Sequence, residues 1–393
     1  MPRKRTTSQP PAANQISIAD LQNVLVMQLE DASAIVMLSP ALRSFREAVP
    51  DAEITLMTSA AGSQVVPLLS RVDHVMIDRA VGRDRPSNRA INPREDVAMI
   101  ERLRRANFST ALIFSNVSQS PWRAAYACYL AGIPYRVGFT KGMEGPLLSH
   151  FLQPLADDAH QVDRNLYLLE SIGVPAADSQ VRFDIPETVE NGAGELLARA
   201  GVKPDIPYIV FAPGSEGMIS PYAPDHFAAV AHILAAQTGQ QLVVVGSQAE
   251  AKSMQPVLRV ANENLYGNIF SLVEMTTLPE LAAIIRRASL TIANPSVSMH
   301  LADAFGCPMV ILHSDSDKID RCVPRTSPVR LLRRPGTYPR MDRSDSLSGM
   351  NNLDVRPEEV AVAALEMLAE QTYSQADYQG LFGYKIESDL RWR

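Results

Sequence analysis

The chain has 393 residues, more than one hydrophobic core ordinarily serves, so two domains of ordinary size are expected. Apolar residues make up 46% and charged residues 20%, which excludes a largely disordered or fibrous chain, and a net charge of −6 leaves no whole-molecule positive field to hold nucleic acid. The 3 cysteines, Cys128, Cys307 and Cys322, are too few and too scattered for a disulfide framework or a four-thiolate zinc site, and fit a reducing cytoplasm.

Residues 1–20 read as a tail in which Arg3, Lys4, Arg5, Pro10 and Pro11 stand without the apolar run of a secretory signal. No stretch of about 18 apolar residues occurs, so membrane contact is expected to be peripheral at most. Asn23 to Met27 opens the first buried parallel strand with Val24, Leu25 and Val26. Ser39-Pro40 looks like a helix cap followed by proline at the first helical position, predicting a helix from there through Arg46. Strands follow at Glu53–Thr58, His74–Asp78 and Thr110–Ser115, and Pro93–Ala106 predicts a helix with Val97, Ile100 and Leu103 on one face. Strands alternating with helices imply a doubly wound parallel sheet over residues 21–185.

Prolines and glycines over residues 186–206, with a short helix at Gly194–Ala200, mark a linker. A second βα rhythm then begins: strands at Tyr208–Phe211, Gln241–Gly246, Leu290–Ala293 and Met309–Leu312, helices at Pro224–Gln237, Leu278–Ala288 and Ser296–Phe305. This makes residues 207–355 a second Rossmann-like domain. The final segment, 356–393, is a helix and aromatic tail expected to cross back to the first domain. In such sheets ligands collect beyond the carboxyl ends of the strands, so the loops after Met27, Phe211, Gly246, Ala293 and Leu312 are where chemistry is sought.

Thr277 to Ile285, followed by Ala288, Ile292, Asn294, Ser296, Met299-His300-Leu301-Ala302, Ala304, Gly306 and Pro308, resembles the signature of family 9 (heptosyltransferase-type) glycosyltransferases, whose turn reads Asn-Asp-Ser-Gly-Pro-Met-His-Leu-Ala. Ala212-Pro213-Gly214, Ser39 to Arg43 and Ala159 to Asn165 are similar to family segments at corresponding places. The resemblance implies an α/β, GT-B fold in which two Rossmann-like doubly wound domains face each other across a cleft, the first for the acceptor and the second for the donor. It implies inverting transfer of a sugar, typically heptose from an ADP-heptose-like nucleotide sugar, to a glycan or lipid-linked acceptor in lipopolysaccharide-type synthesis. No metal or other cofactor is implied.

Such a reaction needs a base for the acceptor hydroxyl and positive charge or N–H dipoles for the departing diphosphate. Donor-binding candidates are Gly214, Ser215, Gly246, Asn294, Ser296, Ser298, Met299 and His300, the last five lying where a strand passes into a helix whose free N–H groups suit phosphate. Plain capping by Asn294, with Pro295 at the first helical position, is the structural alternative. On the acceptor side the candidates are Lys141, His160 and Arg164. His313, Asp315 and Asp317 lack the spacing of a metal site.

The sequence departs from the family at several chemical positions. Ala34 stands where the aspartate base belongs, leaving Glu30 and Asp31 as candidate bases. Ser220 replaces a basic residue, and Pro295, Val297 and Ser298 replace the aspartate, glycine and proline of the turn. Two readings therefore stand open: an active transferase with relocated groups, and a pseudo-glycosyltransferase acting as a ligand-binding or scaffold protein.

Overall fold

The computed structural model of the chain describes residues 16–69, 71–77, 93–116, 119–140, 145–214, 221–313, 319–333 and 355–372. Among the expected features, the basic tail before residue 16, the aromatic tail after residue 372, and Lys141, Ser215, Ser220, Asp315 and Asp317 lie outside these residues. The chain divides into two compact units, Met1–Asp184 with Asp320–Val323, and Ile185–Ile319 with Pro324–Arg393.

The first unit contains β1 (Asn23–Gln28), α1 (Ala32–Ala48), β2 (Glu53–Thr58), β3 (His74–Ile77), α2 (Pro93–Ala106), β4 (Thr110–Ile113), α3 (Trp122–Ala131), β5 (Tyr135–Phe139), β6 (His150–Leu152) and α4 (Gln161–Glu170). Its strands form one parallel sheet in the order β3-β2-β1-β4-β5-β6. Val24, Leu25, Val26 and Met27 are all fully buried, because the central strand of a parallel sheet is covered on both faces. Leu25, Met27 and Met57 join Met99, Leu103, Ala124, Ala125 and Cys128 in the core beneath α2 and α3. By the two-residue period of a strand, Val24, Val26 and Gln28 face the opposite side. There α1 packs on α4.

Helix α1 starts at Ala32, eight residues before the predicted start, and carries Pro40 in its interior. Proline lacks the N–H that would bond the carbonyl of Val36, which ordinarily breaks a helix. Ser39 repairs the gap: its hydroxyl donates to that same carbonyl at 2.8 Å. The Ser44 hydroxyl likewise donates to the Pro40 carbonyl at 3.0 Å. In α2 the buried face is Met99 and Leu103, whereas Val97, expected inside, is 59% exposed. Positions 99 and 103 are one helical turn apart, and 97 falls off their stripe.

The second unit contains α5 (Glu187–Ala200), β7 (Tyr208–Ala212), α6 (Pro224–Gln237), β8 (Gln241–Val244), α7 (Gln255–Glu263), β9 (Ile269–Ser271), α8 (Leu278–Arg286), β10 (Leu290–Ala293), α9 (Val297–Ala304), β11 (Met309–Leu312), β12 (Val329–Leu332) and α10 (Pro357–Thr372). Its parallel sheet runs β12-β11-β10-β7-β8-β9. Phe227 packs edge-on against Phe211 and Tyr222, with centroids at 6.4 and 5.2 Å, and anchors the core under α6 and α10.

Two boundary expectations differ from what is found. Much of the expected linker is helix α5, which packs on α8 and is held there by Glu190, whose carboxylate meets Arg286 and, at 2.9 Å, Arg287. Its seemingly breaking glycines, Gly192 and Gly194, lie inside the helix, and the chain stops at Gly201, where φ of 96° favours glycine. Helix α10 packs on α6, β10 and β11 of the second unit, into whose core Val360, Ala361, Ala364 and Met367 project.

Numbered within its own unit, each sheet has the order 3-2-1-4-5-6 of a doubly wound nucleotide-binding fold. The strand order reverses between β1 and β4 in the first unit and between β7 and β10 in the second. Helices leave these neighbouring strands in opposite directions, so a crevice opens above each pair at the carboxyl end. Among the described residues no helix is long and apolar enough to cross a membrane.

Candidate functional site

Above the β1/β4 pair stand Glu30 and Asn116. The Glu30 carboxylate accepts the backbone N–H of Asn116 at 2.8 Å on Oε1 and the Asn116 side-chain amide at 2.9 Å on Oε2. The Ser59 hydroxyl donates to the Glu30 carbonyl, tying the same residue to the end of β2. Burial pushes the Glu30 carboxyl up from its ordinary 4.5 to about 7, and the charge of Asp31 adds to the rise, while the bonds from Asn116 oppose it. A carboxylate balanced near neutrality is suited to take a proton from a hydroxyl and give it up again.

The two candidate bases are thereby separated. The Asp31 carboxylate caps α1, accepting the Ala34 N–H at 3.0 Å, and is committed to the helix start. Ala34 itself is buried in the first turn of α1. Beneath Glu30 the end of β1 carries Gln28, fully buried, with neither side-chain amide atom hydrogen-bonded among the described residues; Thr58, its register partner on β2, has a buried hydroxyl in the same condition. Gly62 is glycine by necessity here, since a Cβ would lie 2.2 Å from the Thr58 hydroxyl. Buried polar atoms without partners are rare in folded proteins and cluster where function is served. A glutamine closing an otherwise apolar strand is the sequence signal for this layer, one that periodicity alone passes over.

Of the acceptor-side candidates, His160 and Arg164 have structural employment, and Lys141 lies outside the described residues. His160 caps α4, its Nδ1 accepting the Val162 N–H at 3.2 Å, and its Nε2 is 3.2 Å from the Val323 carbonyl, so the proton sits on Nε2. Arg164, expected to face a ligand, is instead 2% exposed. Its guanidinium donates to the carbonyls of Ala159 at 3.1 Å, Leu155 at 3.3 Å and Ala156, holding the turn before α4. Gln161, on the next turn, reaches the Ser115 carbonyl at 3.4 Å and Asn165 at 3.0 Å, and Asn165 donates to Met37 at 3.0 Å. This chain of amides fixes α4 against α1 and against the loop that bears Asn116.

Above the β7/β10 pair the central residue is Asn294, which is fully buried. It does not cap α9; that place belongs to Ser296, whose side chain makes no capping bond. The Asn294 amide donates to the Pro213 carbonyl at 2.8 Å and its oxygen accepts the Tyr222 N–H at 3.0 Å. It therefore clasps the two ends of the loop that follows β7. Ser298, Met299 and His300 are buried within α9. Gly214 begins the clasped loop, and Gly246 follows β8, where a Cβ would lie 2.6 Å from the Met254 sulfur.

Sequence reasoning missed Glu250. Its carboxylate lies directly against Gly214 and accepts the Ser247 N–H at 2.9 Å and hydroxyl at 2.8 Å. The signal was the Ser-x-x-Glu pattern just after a strand ending in glycine. In doubly wound nucleotide folds an acidic side chain after the second strand, beside the glycine turn of the first, is placed to accept ribose hydroxyls. Among the described residues no group of histidine, cysteine and carboxylate side chains is arranged to hold a metal ion.

Comparison with known proteins accords with this architecture. A glycosyltransferase family 9 structure from Veillonella parvula DSM 2008 is similar over 89% of this chain and 99% of its own, with 20% identity and a TM-score of 0.71. E. coli ADP-heptose lps heptosyltransferase II gives 20% identity and a TM-score of 0.69 over 90% and 100%. E. coli heptosyltransferase WaaC with ADP-2-deoxy-2-fluoro heptose gives 17% and 0.63 over 90% and 100%. No curated protein sequence matches the chain. These likenesses show the GT-B fold, and the family's sequence model, described as glycosyltransferase family 9 (heptosyltransferase), matches residues 97–343. With more than half of its length matched, this chain belongs to glycosyltransferase family 9.

Proposed function

We propose that the chain is an active transferase that moves a heptose-type sugar from an ADP-heptose-like donor to a hydroxyl of a glycan or lipid-linked acceptor, with inversion. The observation that carries this reading is the Glu30 carboxylate, partly buried at the β1/β4 switch point, held by Asn116 and balanced near pH 7. In this reading Glu30 does the work expected of the family's base, whose aligned position carries Ala34. The acceptor O–H gives its proton to Glu30 while its oxygen attacks the anomeric carbon. The bond from that carbon to the diphosphate oxygen breaks on the opposite face, and its electron pair leaves on the nucleoside diphosphate.

The second unit supports the donor half of the reading. Glu250, beside Gly214, offers a carboxylate suited to ribose hydroxyls, and Asn294 holds the chain at Pro213 and Tyr222 next to it. The start of α9, where the Ser296 side chain makes no capping bond, has the dipole direction suited to the departing diphosphate. Protein dipoles neutralise the charge there, so turnover is expected to survive a chelator.

The test is ADP release from ADP-heptose by the intact protein, with and without Glu30→Gln. Loss of a positioned base costs about 10²- to 10⁴-fold. Tight ADP binding with no turnover, and no effect of the substitution, would favour the ligand-binding alternative.

A further inference from the structure

We propose that Asn116 is the positioning residue for Glu30: it clamps both carboxylate oxygens above the β1/β4 pair and sets the direction in which the base meets its substrate. This rests on the reading of Glu30 as base. Asn116 follows β4 almost without a break, and β4 is locked in register to β1 up to the bond from the Phe114 N–H to the Met27 carbonyl at 2.9 Å. The backbone donor at residue 116 is therefore fixed relative to the strand that leads into Glu30.

The side-chain amide is fixed as well. Asn116 Oδ1 accepts the Gln119 N–H at 3.0 Å, so its NH₂ must be the end that faces Glu30. On the far side Ser59 bonds the Glu30 carbonyl while accepting the Gly62 N–H at 3.0 Å, so the base is held from β2 by its backbone and from β4 by its carboxylate. A carboxylate offers about four lone-pair sites, and the clamp uses two, leaving each oxygen able to accept a substrate hydroxyl.

The surroundings make this clamp the adjustable element. Among the described residues, the charged group acting on Glu30 is Asp31, at the start of α1; the partners offered from the β4 and β2 loops, Asn116 and Ser59, are neutral. Burial and Asp31 favour the protonated acid, and the two N–H bonds from Asn116 favour the carboxylate. Removing or reversing one of those bonds should move the ionisation upward, because burial and Asp31 push the same way.

The experiment uses the full chain with Asn116→Asp and Asn116→Ser. Aspartate keeps the oxygen that accepts the Gln119 N–H but turns the donor toward Glu30 into an acceptor. Serine shortens the side chain and exchanges the amide donor for a hydroxyl without adding charge, and carries the test if aspartate unsettles the fold. The Glu30 carboxyl is titrated by ¹³C NMR, assigned by its absence in Glu30→Gln, and ADP release from ADP-heptose is followed against pH with water as acceptor. The expected result for aspartate is a Glu30 midpoint raised by about one unit or more, lowering the ionised fraction at neutral pH about fivefold, with a smaller rise for serine. The rising limb of the rate should move by the same interval. A Glu30 midpoint that stays put in both folded variants overturns the clamp. A midpoint that moves while the rate limb does not overturns the base assignment, and the positioning role with it.

Discussion

The Glu250 carboxylate lies against the α-carbon of Gly214 so closely that a methyl group there would meet Oε1 at 2.1 Å. The clash would fall on the far end of a flexible side chain, so Gly214→Ala should leave the melting temperature nearly unchanged while swinging Glu250 away from the turn. If Glu250 binds ribose, Gly214→Ala and Glu250→Ala should each weaken ADP binding about tenfold or more, and the double variant no further than either alone. Calorimetric titration of the three variants checks the pattern; additive losses would separate the two residues.

Asn294 gives a second prediction. It satisfies the Pro213 carbonyl and the Tyr222 N–H from a fully buried position, so Asn294→Ala leaves two backbone groups unpaired and should cost about 2–4 kcal/mol in urea denaturation. Asn294→Asp keeps the acceptor for Tyr222 and loses the donor to Pro213. It should open the loop at that end, seen as faster hydrogen exchange after β7.

A third concerns the proline inside α1. Ser39→Ala removes the hydroxyl that occupies the Val36 carbonyl and should destabilise the fold by about 1–2 kcal/mol. In a Pro40→Ala background the restored N–H can take that carbonyl, so the same serine substitution should become nearly neutral. A double-mutant cycle by chemical denaturation reads the coupling directly.

A fourth follows from the sign of the Glu30 shift. Its folded-state pKa is raised from 4.5 to about 7, so the native protein binds the proton more tightly than the unfolded chain. Its contribution to stability is full below about pH 4.5 and is lost as the pH rises through 7, by at most about 3 kcal/mol. Glu30→Gln cannot ionise. Its stability relative to wild type should therefore rise between pH 5 and pH 8, as measured by denaturation midpoints at the two pH values.

Much of this architecture was legible in the sequence because buried parallel strands announce themselves as short β-branched runs; β10, β11, α2 and α6 fall where periodicity and capping residues put them. Helix α1 was misjudged at Ser39-Pro40 because a cap followed by proline has the same sequence as a mid-helix proline repaired by the preceding serine. What the sequence could not convey were relationships over long separations. Glu30 and Asp31 are chemically alike as neighbours, and only Asn116 and the Ala34 N–H tell them apart. Asn294 looks like a helix cap until the loop it clasps is folded beside it, and Arg164 like a ligand contact until its guanidinium is seen filled with carbonyls. The family signature marked where to look, while the roles of single side chains depended on tertiary partners.

The most direct measurement is the pH dependence of ADP release from ADP-heptose by the unmodified chain beside Glu30→Gln. The account predicts turnover that rises through about pH 7 in the wild type and falls by at least about a hundredfold in the variant. Equal rates for the two proteins, or ADP binding without any release of sugar from the donor, would contradict it.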